Sequence, residues 1–342
     1  MRKKVELKGL SPGKLEEFFV GLSEKPFRAR QLMQWIYKRG EFDFAKMTDL
    51  PLPLRDKLLS IAKISSIKLV ETKVAKDGTK KFLFELDDKN RIESVLIPTI
   101  NRKTLCISSQ VGCPMACAFC ATGLMGFKRN LTPAEIIDQL LQVTLNEPNI
   151  VRITNLVFMG MGEPLLNYGN VCDAIEIMRS DYSFGLGARK ITLSTSGISA
   201  KIRKLANSSL RIKLAISLCS AKERVRKELM PKASSISETI DAAKYYTQKT
   251  GRWVTIEFIL LGGISDSLDE AKRLVKLIKG EHIKVNLIPY NPVPGLELKP
   301  PSKRNIYRFQ AFLLENYITA TIRESKGQDI LGACGQLAAG YK

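Results

Sequence analysis

The chain has 342 residues, of which 44% are hydrophobic and 26% are charged, a balance typical of globular proteins and not of disordered ones. No apolar run approaches the ~20 residues that a membrane helix needs. The basic amino terminus also lacks the apolar stretch of a secretory signal, so we expect a cytoplasmic protein without membrane contact. Lysine and arginine outnumber aspartate and glutamate by 54 to 34, a net charge of +20. This excess favours a polyanion such as nucleic acid as partner, although a basic surface can also serve solubility alone.

Residues 1–62 are predicted to form a helical domain. Ser11 and Pro12 indicate a helix start, because proline in the first turn loses no helical hydrogen bond. Residues 26–40 continue the helical pattern. The hydrophobic side chains at helical spacing there are Phe27, Leu32, Trp35 and Ile36. Ten basic and four acidic residues give the first 40 positions a charge of +6. This part could bind nucleic-acid phosphates as an accessory domain, or cap the fold with a solvated polar face.

Residues 63–100 change to the alternating, β-branched pattern of strands. Asp77 and Gly78 form a dipeptide that is typical of a hairpin turn. We therefore predict a short antiparallel β connector between two larger parts of the chain.

From residue 101 to residue 342, apolar strands alternate with amphipathic helices. The six predicted strands cover residues 104–110, 153–160, 190–196, 211–218, 253–261 and 283–290. This alternation favours right-handed βαβ units and a parallel sheet. The predicted fold class is therefore α/β, with a partial (β/α)6 barrel similar to a TIM barrel. In such barrels the functional residues lie at the carboxyl ends of the strands.

The seven cysteines are an odd number in a chain without an export signal, which favours metal binding or catalysis over a disulfide framework. Cys113, Cys117 and Cys120 form a C-x3-C-x2-C motif just after the first barrel strand. Three thiolates can bind three corners of a four-iron, four-sulphur cluster and leave the fourth iron open to a chelating molecule. The alternative is a zinc site, which needs a fourth ligand. His282 is far away in the sequence, and Cys106 lies within a strand.

This cysteine spacing, with the aromatic Phe119 before the last cysteine, resembles the radical-SAM superfamily. The next strand ends in MGMGEPLL, residues 159–166, where glycines let the backbone approach a ligand closely. The segment is similar to the GGEP element of that superfamily. The resemblance implies S-adenosylmethionine (SAM) on the open iron, with Gly162 and Glu163 in contact with it. Glu163 would accept a hydrogen bond from the SAM ammonium group.

A longer series of segments narrows the resemblance. In chain order they are KPFRARQLMQWIY, ESVLIP, TLCISSQVGCPMACAFCATGLMGFKRNLT, FMGMGEPLLNY, ITLSTSG, NLIPYNP and ACGQLA. Together they are similar to the RlmN-type RNA methyltransferases of the RlmN/Cfr family, over nearly the whole chain. The resemblance implies methylation of adenine C2 in 23S ribosomal RNA, at the peptidyl-transferase centre, and in transfer RNA, next to the anticodon. It also implies a flavodoxin-type electron donor; a monomer is the default expectation.

The resemblance assigns SAM contacts to seven positions. They are Gly162, Glu163, Ser194, Ser217, Leu218, Cys219 and Asn291. The family usually has Ser-Leu-His where this chain has Ser217-Leu218-Cys219. A backbone contact at this place would survive the change, whereas a contact through the imidazole would be lost.

The chemistry that the resemblance implies uses two SAM molecules per turnover. The first methylates the Cys334 thiolate, and the second is cleaved to a 5′-deoxyadenosyl radical that takes hydrogen from this methyl group. The carbon then joins adenine C2 and links RNA to protein. Cys106 would attack the Cys334 sulphur and leave a disulfide, while Glu93 matches the family's proposed acceptor of the C2 proton. Taken singly, each of the three could instead be an ordinary structural residue.

Other functions are compatible with parts of the sequence. A Cfr-type enzyme would use the same chemistry at adenine C8 of 23S ribosomal RNA. A radical-SAM enzyme for small molecules or protein glycine is disfavoured by the charge and by the second cysteine pair. A zinc-stabilised RNA-binding module would carry zinc in place of iron and sulphide. Lys128 and Arg129, after the cysteine loop, are candidates for phosphate contacts, or else part of a solvated turn.

Overall fold

The computed structural model describes residues 4–147 and 152–338. Across these two ranges, every helix is too short or too polar to cross a membrane.

The amino-terminal elements are short helices bracketed by two small strands. They are β1 (Val5–Glu6), α1 (Pro12–Gly21), α2 (Arg28–Met33), a π-helical stretch (Gln34–Arg39), a 3-10 turn (Phe44–Lys46), α3 (Leu52–Ile61) and β2 (Ala62–Lys63). Helix α1 starts at Pro12 after Ser11, as predicted. The predicted helix over 26–40 is divided, and Phe27, expected on its apolar stripe, is 42% exposed.

The predicted connector is an antiparallel meander. Its strands are β3 (Lys68–Val74), β4 (Lys80–Glu85) and β5 (Arg91–Thr99). The turn between β3 and β4 contains Gly78 at φ +80°, a conformation that glycine adopts without steric cost. Strand β5 pairs with the first barrel strand, so the connector forms one edge of the main sheet.

The remaining elements build the α/β part. In chain order they are β6 (Arg102–Cys106), β7 (Gln110–Gly112), α4 (Ala121–Leu124), β8 (Phe127–Asn130), α5 (Pro133–Asn146), β9 (Asn155–Phe158), α6 (Tyr168–Arg179), β10 (Ile191–Thr195), α7 (Ser199–Ala206), β11 (Lys213–Leu218), α8 (Glu223–Leu229), α9 (Ile236–Thr250), β12 (Val254–Leu260), α10 (Leu268–Ile278), β13 (Ile283–Pro289), α11 (Lys303–Glu315) and β14 (Ala320–Ile322).

The central sheet is mostly parallel. Its order in the described residues is β14-β13-β12-β11-β10-β9-β6-β5-β4-β3, and neighbours from β14 to β6 are parallel. The six predicted strands are β6, β9, β10, β11, β12 and β13, so the predicted α/β partial barrel is confirmed. The sequence prediction missed the three-residue strand β14 at the edge.

Side chains alternate across the parallel strands. In β12, Ile256 and Phe258 are fully buried, and the Phe258 ring lies 5.2 Å from that of Phe309 on α11. Burial of each such side chain contributes roughly 1.5–3 kcal/mol. Thr255 and Glu257, the alternate residues, line a cavity on the opposite face. The sheet thus has an apolar outer face against helices and an inner face of mixed polar and apolar side chains.

The gap between the two sheet edges is bridged by loops. The Asp77 carboxylate, in the turn after β3, accepts a hydrogen bond from the Gly327 N–H at 3.0 Å. The Asp329 carboxylate accepts one from the Lys76 N–H at 3.1 Å. The segment after β14 therefore forms the wall of the barrel on the side that the strands leave open.

A buried ion pair attaches the amino-terminal helices to the barrel. Lys8 Nζ lies 2.7 Å from Asp138 Oδ1 on α5, and both side chains are almost fully buried. The other Asp138 oxygen accepts a hydrogen bond from the Ile67 N–H at 2.6 Å, and the Tyr37 hydroxyl donates to the Lys8 carbonyl. Such a pair fixes the orientation of the parts it joins because neither charge can be left alone in the interior.

Candidate active site

The three motif cysteines lie on a loop that a small hairpin closes. Strands β7 and β8 pair antiparallel on either side of the loop. Gly112, at φ +73°, ends β7, and a Cβ atom there would lie 1.8 Å from the Gly126 carbonyl oxygen. Only glycine fits this approach. The hairpin directs Cys113, Cys117 and Cys120 into one cavity of about 160 Å³, called here the cysteine cavity.

The loop keeps its thiols out of water. Burial raises the pKa of Cys113 to about 12, and burial followed by the neighbouring thiols raises that of Cys117. Burial also raises the pKa of Cys120. Thiolates in such surroundings need a positive centre, which metal ligation provides. Three buried thiols in one cavity are therefore a donor set that fits a thiolate-bound iron–sulphur cluster.

A zinc site would need its ligands to converge on a single metal ion. Within 4–147 and 152–338, no three His, Cys, Asp or Glu side chains converge on a point where a single metal ion could sit. A cubane cluster is ligated at three separate irons, so its cysteines need not converge on one point. The arrangement favours the cluster over a four-ligand zinc site.

The cysteine cavity extends along the carboxyl ends of the parallel strands. Five of the seven predicted SAM contacts line it, namely Gly162, Glu163, Ser194, Ser217 and Asn291. The other two do not line it: Leu218 points into the main core, and Cys219 packs with Phe119, Leu229 and Met230. Both are fully buried. The structure therefore does not place either side chain at the cysteine cavity.

Glu163 is a fixed carboxylate at the cavity wall. Its Oε2 accepts hydrogen bonds from the Ser196 N–H at 2.7 Å and hydroxyl at 2.8 Å, and its Oε1 accepts one from the Leu165 N–H at 3.0 Å. Burial raises the pKa of Glu163, and these hydrogen bonds oppose that shift. Gly162 has φ +101°, and a Cβ atom there would lie 2.5 Å from that of Gln110. The geometry suits a cationic ammonium group near Glu163.

The segment that carries Cys334 is hydrogen-bonded to the cysteine loop. The Ala121 N–H donates to the Gly335 carbonyl at 2.8 Å, and the Thr122 hydroxyl donates to the Leu337 carbonyl at 2.9 Å. The Asn291 amide donates to the Cys334 carbonyl at 3.0 Å. Residues from two distant parts of the sequence thus fix Cys334 beside the motif cysteines.

Cys334 separates the cysteine cavity from a larger one. The larger cavity, called here the lumen, has a volume of about 720 Å³ and lies on the inner face of the sheet. Cys334 lines both cavities, and Cys106 on β6 lines the lumen only. Both are free thiols. The structure therefore brings together the two cysteines that the sequence prediction paired.

Sequence reasoning missed two charged residues beside this pair. Burial, followed by the proximity of Cys334, raises the pKa of Cys106 to about 12, and the positive charge of Arg323 opposes this. Cys334 in turn raises the pKa of Arg323, whose Nη1 lies 3.5 Å from the Glu257 carboxylate. A glutamate inside the apolar strand VTIEFIL was a usable signal, whereas Arg323 follows a strand too short to predict.

Glu93 lies on β5, close to the Cys334 segment. Its Oε1 is 2.9 Å from Lys81 Nζ in a nearly dry ion pair, and its Oε2 accepts a hydrogen bond from the Ala338 N–H at 2.7 Å. Lys81 also donates to the Leu331 carbonyl at 3.3 Å. Both carboxylate oxygens are thus engaged with Lys81 and the carboxy-terminal segment, and Glu93 lines neither cavity in the described part of the chain.

Of the two cations after the cysteine loop, one is neutralised. Arg129 pairs with Asp88 at 2.6 Å and with Glu135 at 2.8 Å. Its guanidinium is therefore engaged and not presented to phosphate. Lys128 is exposed and donates a hydrogen bond to the Asn90 side chain at 3.1 Å.

Comparison with known proteins identifies the family. A model described as the ribosomal RNA large subunit methyltransferase N-terminal domain matches residues 5–64, and the radical SAM superfamily model matches residues 107–278. A protein named dual-specificity RNA methyltransferase RlmN from Francisella tularensis subsp. novicida is 45% identical, over 98% of this chain and 93% of its own. The chain belongs to the RlmN family. Its namesake from Geobacter sulfurreducens is 44% identical, over 97% of this chain and 92% of its own.

The fold agrees with the RlmN assignment. The crystal structure of a radical SAM methyltransferase from Sphaerobacter thermophilus superimposes with a TM-score of 0.91 at 39% identity, covering 98% of this chain and 99% of that one. As a member of the RlmN family, the protein is a SAM-dependent RNA methyltransferase of the radical-SAM type. Its family cofactors are SAM and a [4Fe–4S] cluster.

Proposed function

We propose that this protein methylates C2 of adenosine in 23S ribosomal RNA, at the peptidyl-transferase centre, and in transfer RNA, next to the anticodon. The observation that carries the proposal is the position of Cys334 on the wall between the cysteine cavity and the lumen, with Cys106 nearby. The dual-specificity names of the relatives support two RNA classes. The proposed reaction requires a residue that accepts one carbon from SAM in the cysteine cavity and passes it to the adenine in the lumen.

Cys113, Cys117 and Cys120 would hold the cluster, which when bound supplies the electron that splits SAM. Glu163 would bind the SAM ammonium, and the backbone near Gly162 would approach the same end of the molecule. Ser194, Ser217 and Asn291 lie on the same wall. Leu218 and Cys219 would contribute main-chain contacts alone, so the replacement of the family's histidine by Cys219 is compatible with SAM binding. Two SAM molecules would be used per turnover.

Cys334 would act as the carrier. Its thiolate would attack the methyl group of the first SAM, so that the sulphur–methyl bond forms and S-adenosylhomocysteine leaves. After removal of one hydrogen atom, the methylene carbon would bond to adenine C2, and the adduct would then lose the C2 proton and give back the electron that SAM cleavage consumed. Cys106 would attack the Cys334 sulphur, the carbon–sulphur bond would break with its electron pair on carbon, and this carbon would take up a proton to become the methyl group on the base. The resulting Cys106–Cys334 disulfide needs two electrons for reduction, a role for the flavodoxin-type donor.

Glu93 would accept the C2 proton. Because its carboxylate now binds Lys81 and the Ala338 N–H, this role requires release of the contact with Ala338 when RNA is present. The ion pair with Lys81 would then keep the Glu93 side chain in position.

The experiment is mass spectrometry of nucleosides after anaerobic reaction of the cluster-loaded protein with unmodified ribosomal and transfer RNA, SAM and a reductant. We expect 2-methyladenosine in both RNAs. Formation of 8-methyladenosine would show the Cfr-type reaction instead. Cleavage of SAM without any methylated adenosine would refute the RNA substrate but not the cluster.

The roles of the two cysteines have a separate test. We expect Cys334→Ala to give no product and no protein–RNA adduct, and Cys106→Ala to accumulate the adduct, because the attacking thiolate is missing. A denaturing gel of labelled RNA measures both. Cys172→Ala is the control, since Cys172 packs on helix α6, away from both cavities. Normal turnover by the Cys106 variant would exclude its resolving role.

A further inference from the structure

The lumen reaches the amino ends of the parallel strands. Its lining includes Thr104 near the start of β6, Thr192 in β10 and Thr255 in β12, as well as Cys334 at its inner end. The carboxyl ends of the same strands are covered by the cysteine loop and the Cys334 segment. A base that reaches Cys334 from the amino ends would therefore not compete with SAM for space.

Unpaired positive charge surrounds this end of the lumen. Arg102, Lys213 and Lys284 line it and are exposed. Lys190 and Arg252 lie close enough that, after burial and Lys284, their charges and that of Arg102 lower the pKa of Lys213. Among the described residues, none of these five cations forms an ion pair with a carboxylate. The five positive charges repel one another, and a bound polyanion would stabilise them.

The carboxylates of the lumen do not offset these cations, because each already has a partner. Glu257 lies 3.5 Å from Arg323, and Glu324 lies 3.5 Å from Lys326. The Arg252 Nε atom is buried without a hydrogen-bond partner in the described part of the chain. The excess positive charge is therefore concentrated at the amino ends of the strands.

An aromatic pair stands beside the cations. The rings of Trp253 and His282 are stacked, with centroids 5.2 Å apart and planes at 9°, and Trp253 is 48% exposed. Trp253 precedes Thr255 by two residues, and His282 precedes Lys284 by two. Both residues directly precede their strands, so the stacked rings lie at the amino ends of β12 and β13, next in sequence to Arg252 and Ile283. Single-stranded nucleic acid binds to such surfaces, because its bases stack on the exposed ring and its phosphates contact the cations.

We propose that the amino-end rim, defined as Arg102, Lys213, Lys284 and the Trp253–His282 stack, receives the RNA. Phosphates next to the target adenosine contact the cations, and a neighbouring unpaired base stacks on Trp253, while the adenine enters the lumen toward Cys334. This inference rests on the proposed RNA substrate and adds the route and the recognition surface. An RNA loop fits better than a duplex, because its bases are free to stack and to be extruded.

The test measures the affinity of the holoenzyme for unmodified transfer RNA between 50 and 200 mM salt. For Lys213→Gln with Lys284→Gln we expect at least about tenfold weaker binding and a salt slope reduced by about 1.4, since each lost phosphate contact removes roughly 0.7 from the slope for a single strand. For Trp253→Ala we expect about 5- to 100-fold weaker binding with an unchanged slope. The matched control is Lys272→Gln with Lys276→Gln, two exposed lysines on the outer helix α10.

All these side chains are exposed, and melting temperatures within error of the wild type show that the variants fold. Equal affinity of the wild-type and rim variants for transfer RNA would overturn the inference. An equal loss of affinity in the control variant would also overturn it, because it would indicate general charge attraction. If the wild-type enzyme makes 2-methyladenosine while the rim variants bind and methylate normally, only the rim is refuted. If the wild type methylates neither RNA, the proposed function itself fails.

Discussion

Arg323 interacts with both cysteines of the proposed catalytic pair. It is held by Glu257, and its charge interacts with both Cys106 and Cys334. A buried thiol resists ionisation, and each unit of pKa elevation corresponds to about 1.4 kcal/mol. The Arg323 guanidinium lowers the pKa of the Cys106 thiol against the effect of burial, and so favours the Cys106 thiolate. We infer that Arg323 supports the attack of Cys106 on the Cys334 sulphur.

This inference gives a pH prediction. Because burial raises the pKa of Cys106 to about 12, its thiolate fraction grows by about tenfold per pH unit between pH 7 and 9. Release of the protein–RNA adduct should rise accordingly, without a plateau. Arg323→Ala should slow release by about tenfold or more at each pH, since it removes the favourable charge. Single-turnover decay of the adduct measures the rate.

The control for Arg323 is Arg323→Lys, which keeps a positive charge near Glu257. We expect it to restore most of the rate. Equal rates for the alanine variant and the wild type across this pH range would show that Arg323 has only a packing role.

At the scale of elements, the segment from Gln328 to Ala338 depends on distant partners for its position. Asn291, Ala121, Thr122 and Glu93 hold it through side-chain or backbone hydrogen bonds. The segment has little regular structure of its own. Its order is therefore an outcome of tertiary contacts, each worth about 1 kcal/mol.

Removing one of these bonds should loosen the segment. Thr122→Val keeps the shape of the side chain but cannot donate to the Leu337 carbonyl. Amide hydrogen exchange in residues 333–338 should accelerate by about fivefold, equivalent to about 1 kcal/mol. Thr144→Val, which removes a similar bond to the Leu140 carbonyl on α5, should leave this exchange unchanged. Equal exchange in both variants would show that Thr122 does not hold the segment.

These elements also show what sequence could and could not reveal. The cysteine motif and Gly162 were predictable because their signals are local: a spacing, and a glycine at a strand end. The contacts of the segment that carries Cys334 were not predictable, since they join positions 43 to 245 residues apart. The six long strands followed from their hydrophobic period, whereas β14, with three residues, carries too little pattern to detect.

For the whole molecule, the buried Lys8–Asp138 pair joins the amino-terminal helices to the barrel. Asp138→Asn should leave the Lys8 charge buried and unpaired, and reduce the free energy of unfolding by about 3–5 kcal/mol. Adding Lys8→Met should recover part of this loss, because the introduced amide can still accept the hydrogen bond from the Ile67 N–H. Urea unfolding of both variants measures these free energies. A double variant that is less stable than Asp138→Asn alone would contradict the prediction.

The sequence indicated the charge of the molecule but not its distribution. Arg129, a candidate phosphate contact, is neutralised by Asp88 and Glu135, while Lys213 and Lys284 on separate strands come together at one end of the lumen. Charge pairing across the fold decides which cations remain available to a partner, and no linear pattern records it.

The loop that bridges the open side of the barrel has a consequence for the size of the substrates. Hydrogen bonds from Lys76 and Gly327 close that side, and the same stretch of chain continues to Cys334. The closure of the lumen and the proposed methyl carrier thus belong to one piece of polypeptide. Widening this side to admit a bulkier RNA fold would shift the Cys334 sulphur from its place beside the cysteine loop. Substitutions that broaden the substrate range are therefore expected in the amino-end rim and not in the segment that closes the barrel.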